Sequence, residues 1–396
     1  MRNVPAIRYG MAGGGEGAFI GAVHRLAARL DNEWQLVCGA FSSDAERNDR
    51  SGTAIGLTSD RCYSRFDAMI AAESALPLDE RMEVLVICTP NHLHRSMAIE
   101  ALDAGIAVLS DKPMALDLSD AQAIAEAAAR STAPYGLTMT YSGYPMVEEA
   151  RARIATEAFG AVRRVDVEYR QGWLSTAIDR EGHKQASWRT DPSCAGIAGA
   201  LGDIGTHAFH LAEYVSGLTA ERLCADLAVH VAGRRLDDDA SILMQFAGGA
   251  RGTLIASQIC AGEENALRLR VSCELATLEW AQEEPNSLII RHRDRPIEIL
   301  RTAGPGNMAS AVSRTRIPAG HPEGYLEAFG NIYQAFAAAV RECRKTPGPP
   351  GSTDWFPGVS EGLRGMAFVS AAVSNAKGMT RWTRIGSGTT GSGATV

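Results

Sequence analysis

Lysine is scarce in this chain of 396 residues. The chain has 39 basic and 46 acidic residues, a net charge of −7, and only four of the basic residues are lysines. No stretch concentrates Lys and Arg, which excludes the basic surface typical of a nucleic-acid-binding protein. An ammonium group, unlike a guanidinium, can shift its pKa in an apolar setting, so each lysine is individually informative. Lys112, which follows a strongly apolar segment, is the candidate functional lysine.

Long apolar runs and closely spaced cysteines are also missing. No run approaches the roughly 18 apolar residues that span a bilayer, and the N-terminus lacks a signal-peptide pattern. The eight cysteines are scattered, without the spacing of zinc ligands or of a redox dithiol. We therefore expect a cytoplasmic protein with reduced thiols, no metal and no membrane or nucleic-acid partner. Small molecules are its expected partners.

The remaining composition and patterning predict two globular domains. Hydrophobic residues make up 45% and charged residues 21% of the chain, as in ordinary globular proteins. In residues 1–140 short apolar strands alternate with helical stretches, which predicts an α/β domain with a parallel sheet covered on both faces. In residues 141–384 β-rich segments follow one another, which predicts an α+β domain with a mostly antiparallel or mixed sheet. The Gly/Ser/Thr-rich end, 385–396, is predicted to be disordered.

A cluster of small residues follows the first predicted strand, where a helix begins. Its members are Gly13, Gly14, Gly15, Gly17 and Ala18. They fit the pattern G-x-G-x-x-A, in which glycines allow a tight turn and the helix N-terminus attracts a pyrophosphate. Gly21 is the alternative third glycine if the loop carries an insertion. A flexible turn would also contain glycines, but the position after the first strand favours dinucleotide binding.

The end of the second predicted strand leaves the cofactor open. An acidic residue expected there would hold the ribose hydroxyls of NAD. The chain has Ser42 and Ser43 instead, with Asp44 just beyond and Arg47 one helical turn later. These hydroxyls and this guanidinium are suited to a 2′-phosphate, so NAD and NADP are both candidate cofactors.

Two more polar segments follow predicted strands of the first domain. The carboxyl ends of parallel strands line the ligand crevice of an open sheet, so we expect Lys112 to face the substrate beside the cofactor. Alternatives are a simple salt bridge for Lys112 and a helix-capping role for His94. The residues expected to contact the cofactor in these segments are Thr89, Pro90, Asn91, His94 and Asp111.

In the second domain, the segment 199–207 places Asp203 and His207 four residues apart. The two side chains share one face if the segment is helical. Its three glycines cost about 1 kcal/mol each relative to alanine, which is tolerable where another backbone or a ligand approaches closely. A buried structural histidine is the alternative, but the pairing with Asp203 favours a functional role.

Together these motifs resemble the Gfo/Idh/MocA family of nicotinamide-dependent sugar and cyclitol oxidoreductases. The resemblance extends to about Arg384 and includes the tripeptide Asp111-Lys112-Pro113, which is similar to the family's Glu-Lys-Pro. It implies a doubly wound Rossmann domain followed by an open-faced sheet domain for substrate binding and oligomerisation. It also implies Lys112, Asp203 and His207 as the catalytic set, and a homodimer or homotetramer packed through the second domain's sheet.

The resemblance suggests further contacts. Arg189 lies in a segment that looks like the family's loop beside the nicotinamide or substrate, so it is expected to touch the cofactor. Tyr144, Trp173 and His321 supply the hydroxyl, aromatic and ionic groups that hold a polyol, although core packing explains Trp173 equally well. The aspartate at position 111 and the missing acid after the second strand depart from the family pattern and leave cofactor preference and substrate open.

The predicted activity is reversible hydride transfer between a nicotinamide and a secondary alcohol of a sugar, glycoside or cyclitol. Lys112 would stabilise alkoxide charge, His207 would act as general base, and Asp203 would orient it, without a metal. Two alternatives stay open. One is an NAD-dependent glycosidase-type hydrolase that oxidises its substrate transiently, and the other is a non-catalytic nucleotide or sugar sensor.

Overall fold

The computed structural model describes residues 5–345 and 356–388. These residues form two compact units. Among the described residues, the first unit draws on 5–115, 119–138, 329–345 and 356–362, and the second on 116–118, 139–328 and 363–388. From residue 389 onward, the predicted disordered tail lies outside the described residues.

Strands and helices of the described residues are numbered here in chain order. The strands are β1 (Ile7–Gly13), β2 (Trp34–Ala40), β3 (Val84–Cys88), β4 (Ala107–Ser110), β5 (Tyr135–Leu137), β6 (Val162–Arg170), β7 (Ala220–Ala228), β8 (Asp239–Phe246), β9 (Arg251–Ser257), β10 (Ala266–Cys273), β11 (Ala276–Ala281), β12 (Ser287–His292), β13 (Glu298–Arg301) and β14 (Thr383–Arg384). The helices are α1 (Phe19–Arg29), α2 (Ala45–Ala54), α3 (Phe66–Ala75), α4 (His94–Asp103), α5 (Leu118–Arg130), α6 (Pro145–Ala155), α7 (Lys184–Arg189), α8 (Pro192–Ala195), α9 (Thr206–Ser216), α10 (Ala309–Val312), α11 (Tyr325–Lys345) and α12 (Val359–Lys377).

The first unit contains the predicted parallel sheet. Its order is β2-β1-β3-β4-β5, and every neighbouring pair is parallel. All five residues of β3 are buried, because a strand covered on both faces needs apolar side chains on both. The strand order reverses between β1 and β3, and this switch point opens a ligand crevice at the carboxyl ends of the strands. The α/β prediction is confirmed.

The last part of α11 packs within the first unit. Phe336 stacks on Trp34 with ring centroids 6.4 Å apart, and a Cβ on Gly136 would lie 2.8 Å from the Phe336 ring. The hydroxyl of Tyr333 lies 2.8 Å from His24 Nδ1. These aromatic contacts explain why the described residues 329–345 belong to the first unit, although they follow residue 140 in the chain.

The second unit is built on a nine-stranded sheet of order β13-β12-β11-β10-β6-β9-β8-β7-β14. Its neighbours are antiparallel except β6 and β9, which run parallel, so the prediction of a mostly antiparallel or mixed sheet is confirmed. Alternate residues of β6 are buried, because one face packs on the apolar core and the other faces outward. The short strands β13 and β14, at the two edges of the sheet, were not predicted.

Within residues 5–345 and 356–388, no helix combines the length and the apolar character needed to cross a bilayer. Each of the eight cysteines is a free thiol.

Candidate active site

The glycine loop after β1 has a backbone that only glycine adopts easily. Gly13 and Gly14 have φ angles of +74° and +72°, in the left-handed region that disfavours other residues. The loop also lies directly on α1, since a Cβ on Gly21 would come within 2.3 Å of Gly14 Cα. Both observations explain the clustered glycines of the sequence.

The start of α1 fits an anionic group such as a dinucleotide pyrophosphate. Ala18 at its N-cap gives no side-chain hydrogen bond, and the first turn contains no acidic residue. The first turn therefore has no carboxylate to neutralise the positive end of the helix dipole, and the nearby Glu16 is paired with Arg50 at 3.1 Å. A cleft of about 800 Å³ lies beside the loop, with Gly15, Gly17, Ala18 and Phe41 among its lining residues. The residues present thus fit the cofactor that the sequence predicts.

At the end of β2, the Asp44 carboxylate accepts a hydrogen bond from the backbone. The carboxylate accepts the Arg47 N–H at 2.8 Å and caps α2, and the Asp44 N–H donates to Ser42 Oγ at 3.1 Å. Ser43 is exposed and Arg47 half-buried. β2 is therefore followed by the hydroxyls of Ser42 and Ser43, and these groups leave the choice between NAD and NADP open.

His94 connects the polar segments that follow β3 and β4. Its Nδ1 lies 2.9 Å from the Pro113 carbonyl oxygen and its Nε2 lies 2.9 Å from the Thr89 carbonyl oxygen. The side chain is buried, and burial lowers the pKa of His94. His94 thus holds the loop that carries Lys112 against the end of β3, beside the buried Asn91.

The backbone around Lys112 is fixed mainly through Asp111. The Asp111 N–H donates to the Ile87 carbonyl at 2.9 Å, and its carboxylate accepts the Thr138 hydroxyl at 2.9 Å. Lys112 is half-buried, and its peptide bond to Pro113 is cis. The predicted Asp-Lys-Pro segment therefore lies at the carboxyl end of β4, as expected.

In the second unit, Asp203 lies on a π-helical turn, Leu201–Gly205, that continues into α9. The buried Asp237 carboxylate accepts the N–H groups of Gly199 at 2.7 Å and Leu201 at 2.8 Å. Burial raises the pKa of Asp237. A Cβ on Gly199 would lie 2.1 Å from the Asp237 carbonyl oxygen, so this glycine permits the close backbone approach that the sequence suggested. Single π-helical turns are frequent at functional sites.

The Asp203 carboxylate and the His207 imidazole lie on this turn and on the first turn of α9. Asp203 Oδ2 accepts a hydrogen bond from Gln258 Nε2 at 2.9 Å and one from Arg189 Nε at 3.3 Å. His207 is buried, and its ring meets the Tyr141 ring edge-on with centroids 4.8 Å apart. The second unit therefore holds an acid and a base in an aromatic, hydrogen-bonded setting.

The structure places the other predicted site residues of the second unit in different surroundings. Arg189, predicted to touch the cofactor, lies over the Trp188 ring at 4.3 Å while it contacts Asp203. Trp173 donates its indole N–H to Gln171 at 2.9 Å. Tyr144 is buried and packs 5.3 Å from Trp280, whereas His321 is exposed, with Nδ1 3.1 Å from the Pro318 carbonyl.

Sequence reasoning missed several polar residues of this site. They are Tyr141, Tyr169, Gln171, Gln258 and Asn265. Tyr141 lies outside the parallel sheet, because β5 ends at Leu137 and residues 140–143 form a 3₁₀ turn. The one available signal was the alternation that puts Tyr169 and Gln171 on the same face of an extended segment. No group of three or more His, Cys, Asp or Glu that could hold a metal ion occurs in the described part of the chain.

Comparison with known proteins decides the family. Residues 7–138 match the model of an oxidoreductase family with an NAD-binding Rossmann fold, and residues 147–279 match the GFO/IDH/MocA C-terminal domain. The uncharacterized oxidoreductase YfiI of Bacillus subtilis (strain 168) is 31% identical over 379 residues, covering 95% of this chain and 96% of that protein. The chain belongs to the Gfo/Idh/MocA family.

Solved structures agree with this assignment. An inositol dehydrogenase homolog from Azotobacter vinelandii complexed with NAD+ shares 32% identity and a TM-score of 0.93, covering 97% of this chain and 98% of that one. An inositol dehydrogenase homolog from Azotobacter vinelandii complexed with NADH and myo-inositol shares 31% identity and a TM-score of 0.90, covering 96% of this chain and 98% of that one. This Gfo/Idh/MocA chain is thus an oxidoreductase whose first domain is an NAD-binding Rossmann domain, and the predicted family, fold class and nicotinamide cofactor are confirmed.

Proposed function

We propose that this Gfo/Idh/MocA oxidoreductase interconverts a secondary alcohol of a sugar, glycoside or cyclitol with the corresponding ketone. The observation that carries the proposal is the Asp203 and His207 pair, which provides a carboxylate and an imidazole on adjoining helical turns. Amide and phenol groups surround the pair, and such groups suit the many hydroxyls of a polyol. The similar inositol dehydrogenase homolog in complex with NADH and myo-inositol supports the same substrate class.

In this mechanism each residue has a separate task. Bound NAD(P)+ supplies the carbon that accepts the hydride. Lys112 stabilises the negative charge that develops on the substrate oxygen, and a water-poor cleft strengthens this effect. His207 accepts the hydroxyl proton at a ring nitrogen, because imidazole as a class exchanges protons near neutral pH. Asp203, held by Gln258 and Arg189, orients the imidazole.

The activity test combines a substrate panel with one substitution. Inositols, monosaccharides and glycosides are offered with NAD and with NADP while nicotinamide absorbance is followed. Accumulation of reduced cofactor supports a dehydrogenase. Release of an aglycone with recycled cofactor would instead indicate the hydrolase alternative, and binding without hydride transfer the sensor alternative.

The substitution is Lys112→Met, which removes the charge and keeps an apolar stem. We expect turnover to be lost while cofactor affinity, measured by quenching of protein fluorescence, is retained. Lys377→Met, at the exposed end of α12, is the matched control and should behave as wild type. An active Lys112→Met enzyme would contradict the mechanism.

We also propose that the chain forms a homodimer or homotetramer through the outward face of the nine-stranded sheet. Leu243 and Ile299 are 50% and 60% exposed, and a cleft of about 440 Å³ on the sheet has Ile255 and Ile289 in its lining. Arg270 pairs with Glu279 on the same face at 3.0 Å, and such mixed charges are self-complementary in a two-fold interface. Sedimentation of the wild type and of Leu243→Glu tests this, since an assembly unaffected by the charge contradicts the proposed face.

A further inference from the structure

A branched chain of hydrogen bonds in the second unit begins at Trp173. The Trp173 indole N–H donates to Gln171 Oε1 at 2.9 Å. Gln258 Nε2 lies 3.2 Å from the same oxygen and 2.9 Å from Asp203 Oδ2. An indole nitrogen only donates, so the oxygen of the Gln171 amide must face it. Gln258 must then present its NH₂ group to Gln171, and the second hydrogen of that group points at Asp203.

The other branch runs from Gln171 to two tyrosines. Because its oxygen faces the indole, Gln171 directs its NH₂ group at Asn265 Oδ1, 2.7 Å away. Tyr169 donates its hydroxyl to the same oxygen at 2.7 Å. Tyr169 must then accept from the Tyr141 hydroxyl, with which it makes a short contact, and Asn265 Nδ2 lies 3.4 Å from Tyr141. The direction of every bond in both branches follows from the single donor at Trp173.

Sheet register explains why these amides meet. Arg170, the last residue of β6, pairs with Ser257 at the end of β9 and with Ala266 at the start of β10. Gln171, Gln258 and Asn265 each lie one residue beyond those paired positions. They therefore occupy the same end of three adjacent strands, beside the π-helical turn that carries Asp203.

We propose that Trp173, Gln171 and Gln258 are positioning residues that keep the Asp203 carboxylate hydrogen-bonded as an acceptor next to His207, while Asn265 fixes the orientation of the Tyr141 and Tyr169 hydroxyls. The proposal rests on the proposed function, because it assigns tasks around the same acid and base. It gives Trp173 a role apart from direct substrate contact, since its indole N–H is directed at Gln171.

The surroundings of the pair determine the sign of the expected effect. The charged or titratable groups that face it are Arg189 on the carboxylate, the phenols Tyr141 and Tyr169 against the imidazole, and the Asp237 carboxylate behind the π-helical turn. The Tyr325 phenol packs on Tyr141. Burial raises the pKa values of Tyr141 and Tyr169, so both phenols stay neutral at working pH. The positive end of the Gln258 N–H dipole points at Asp203, and removing it raises the proton affinity of the acid and base pair as a whole.

The experiment compares three variants of the full chain by two measurements. Gln258→Met removes the donor to Asp203 with little change in side-chain volume, and Trp173→Phe removes the indole donor that orders the network. Trp382→Phe is the matched control, because Trp382 is half-buried in the same unit and adjoins β14. The first measurement is the titration of the His207 imidazole by nitrogen-15 NMR, with its signal identified by loss in His207→Gln. The second is the pH profile of kcat and of kcat/KM.

The proposal makes a signed expectation for each variant. In Gln258→Met the apparent pKa of the His207 signal and the acidic limb of kcat/KM both rise by up to about one pH unit, because the lost charge-assisted hydrogen bond acts on Asp203 and reaches the imidazole through it. Trp173→Phe raises the His207 pKa and the acidic limb of kcat/KM by a smaller amount, and it lowers kcat by a larger factor than it changes KM. Trp382→Phe changes neither the pKa nor the acidic limb. Unshifted titration in a folded Gln258→Met protein overturns the positioning role. The NMR titration needs no substrate, so a wild type that oxidises no polyol would contradict the proposed function alone.

Discussion

The two units of this oxidoreductase prepare their functional groups in different ways. In the first unit the candidate binding groups belong to the backbone, where consecutive glycines shape a loop on the N-terminus of α1. In the second unit the groups are side chains from distant parts of the chain, with Tyr141, Asp203 and Asn265 linked through one network. A site made of backbone groups is encoded by one short segment of sequence, whereas a site made of side chains depends on how distant strands pair.

The largest expected effect tests the second unit, whose functional groups are side chains. We expect His207→Asn to lower kcat about a thousandfold, because a general base typically contributes a factor between a hundred and ten thousand. Cofactor affinity should stay within twofold of wild type, since no backbone of the glycine loop changes. Stopped-flow kinetics and fluorescence titration measure the two quantities. His230→Asn at an exposed position is the control, and equal losses of turnover in both variants would refute the assignment.

The next largest expected effect tests the glycine loop of the first unit. In Gly21→Ala the new Cβ would meet Gly14 within 2.3 Å, so the loop must move away from α1. Overpacking of this kind costs about 1–3 kcal/mol, so we expect cofactor affinity to fall by up to about a hundredfold. Gly365→Ala is a matched helical control, because nothing lies within 4 Å of its added Cβ. Unchanged affinity in Gly21→Ala would show that this contact does not shape the cofactor site.

The same contrast determines what could be predicted from the sequence. The alternating pattern, the glycine loop and the Asp203 to His207 spacing are local, so the sequence predicts the first sheet correctly and singles out Asp203 and His207 as an acid and base pair, a role that stays a prediction. Gln171, Gln258 and Asn265 were not, because they meet only through the order β10-β6-β9, which joins strands that are not consecutive in the chain. Nor does the sequence around α11 indicate that Tyr333 and Phe336 pack on Trp34, about 300 residues earlier in the chain.

A third test sharpens the comparison by asking whether the first unit also depends on a buried side chain. His24 is fully buried, and burial lowers the pKa of His24 to about 4, although Asp111 opposes the shift. The unfolded chain then takes up a proton near pH 6.5 that the folded state refuses, so stability falls as the pH drops from 6.5 towards 4. Between pH 7 and pH 5 this linkage removes about 2 kcal/mol.

Denaturant unfolding at both pH values measures this loss. In His24→Leu the difference in unfolding free energy between pH 7 and pH 5 should shrink by about 2 kcal/mol, even though the contact with Tyr333 is lost at both. His230→Asn should keep the wild-type difference. The same pH dependence in His24→Leu and wild type would mean that His24 is not the neutral buried group.

The smallest expected effect concerns the side chains at the end of β2. Asp44 is engaged as the cap of α2, and Ser42, Ser43 and Arg47 are the side chains at the end of β2 that we propose to contact the adenosine ribose. A solvent-exposed pair between a guanidinium and a 2′-phosphate is worth up to about 1 kcal/mol, or about fivefold in affinity. We expect Arg47→Ala to weaken NADP binding by that factor and to leave NAD binding unchanged, as measured by calorimetric titration of each cofactor. Arg50→Ala, on the next turn and paired with Glu16 at 3.1 Å, should not separate the two cofactors, and equal weakening of NAD and NADP in Arg47→Ala would exclude a 2′-phosphate contact.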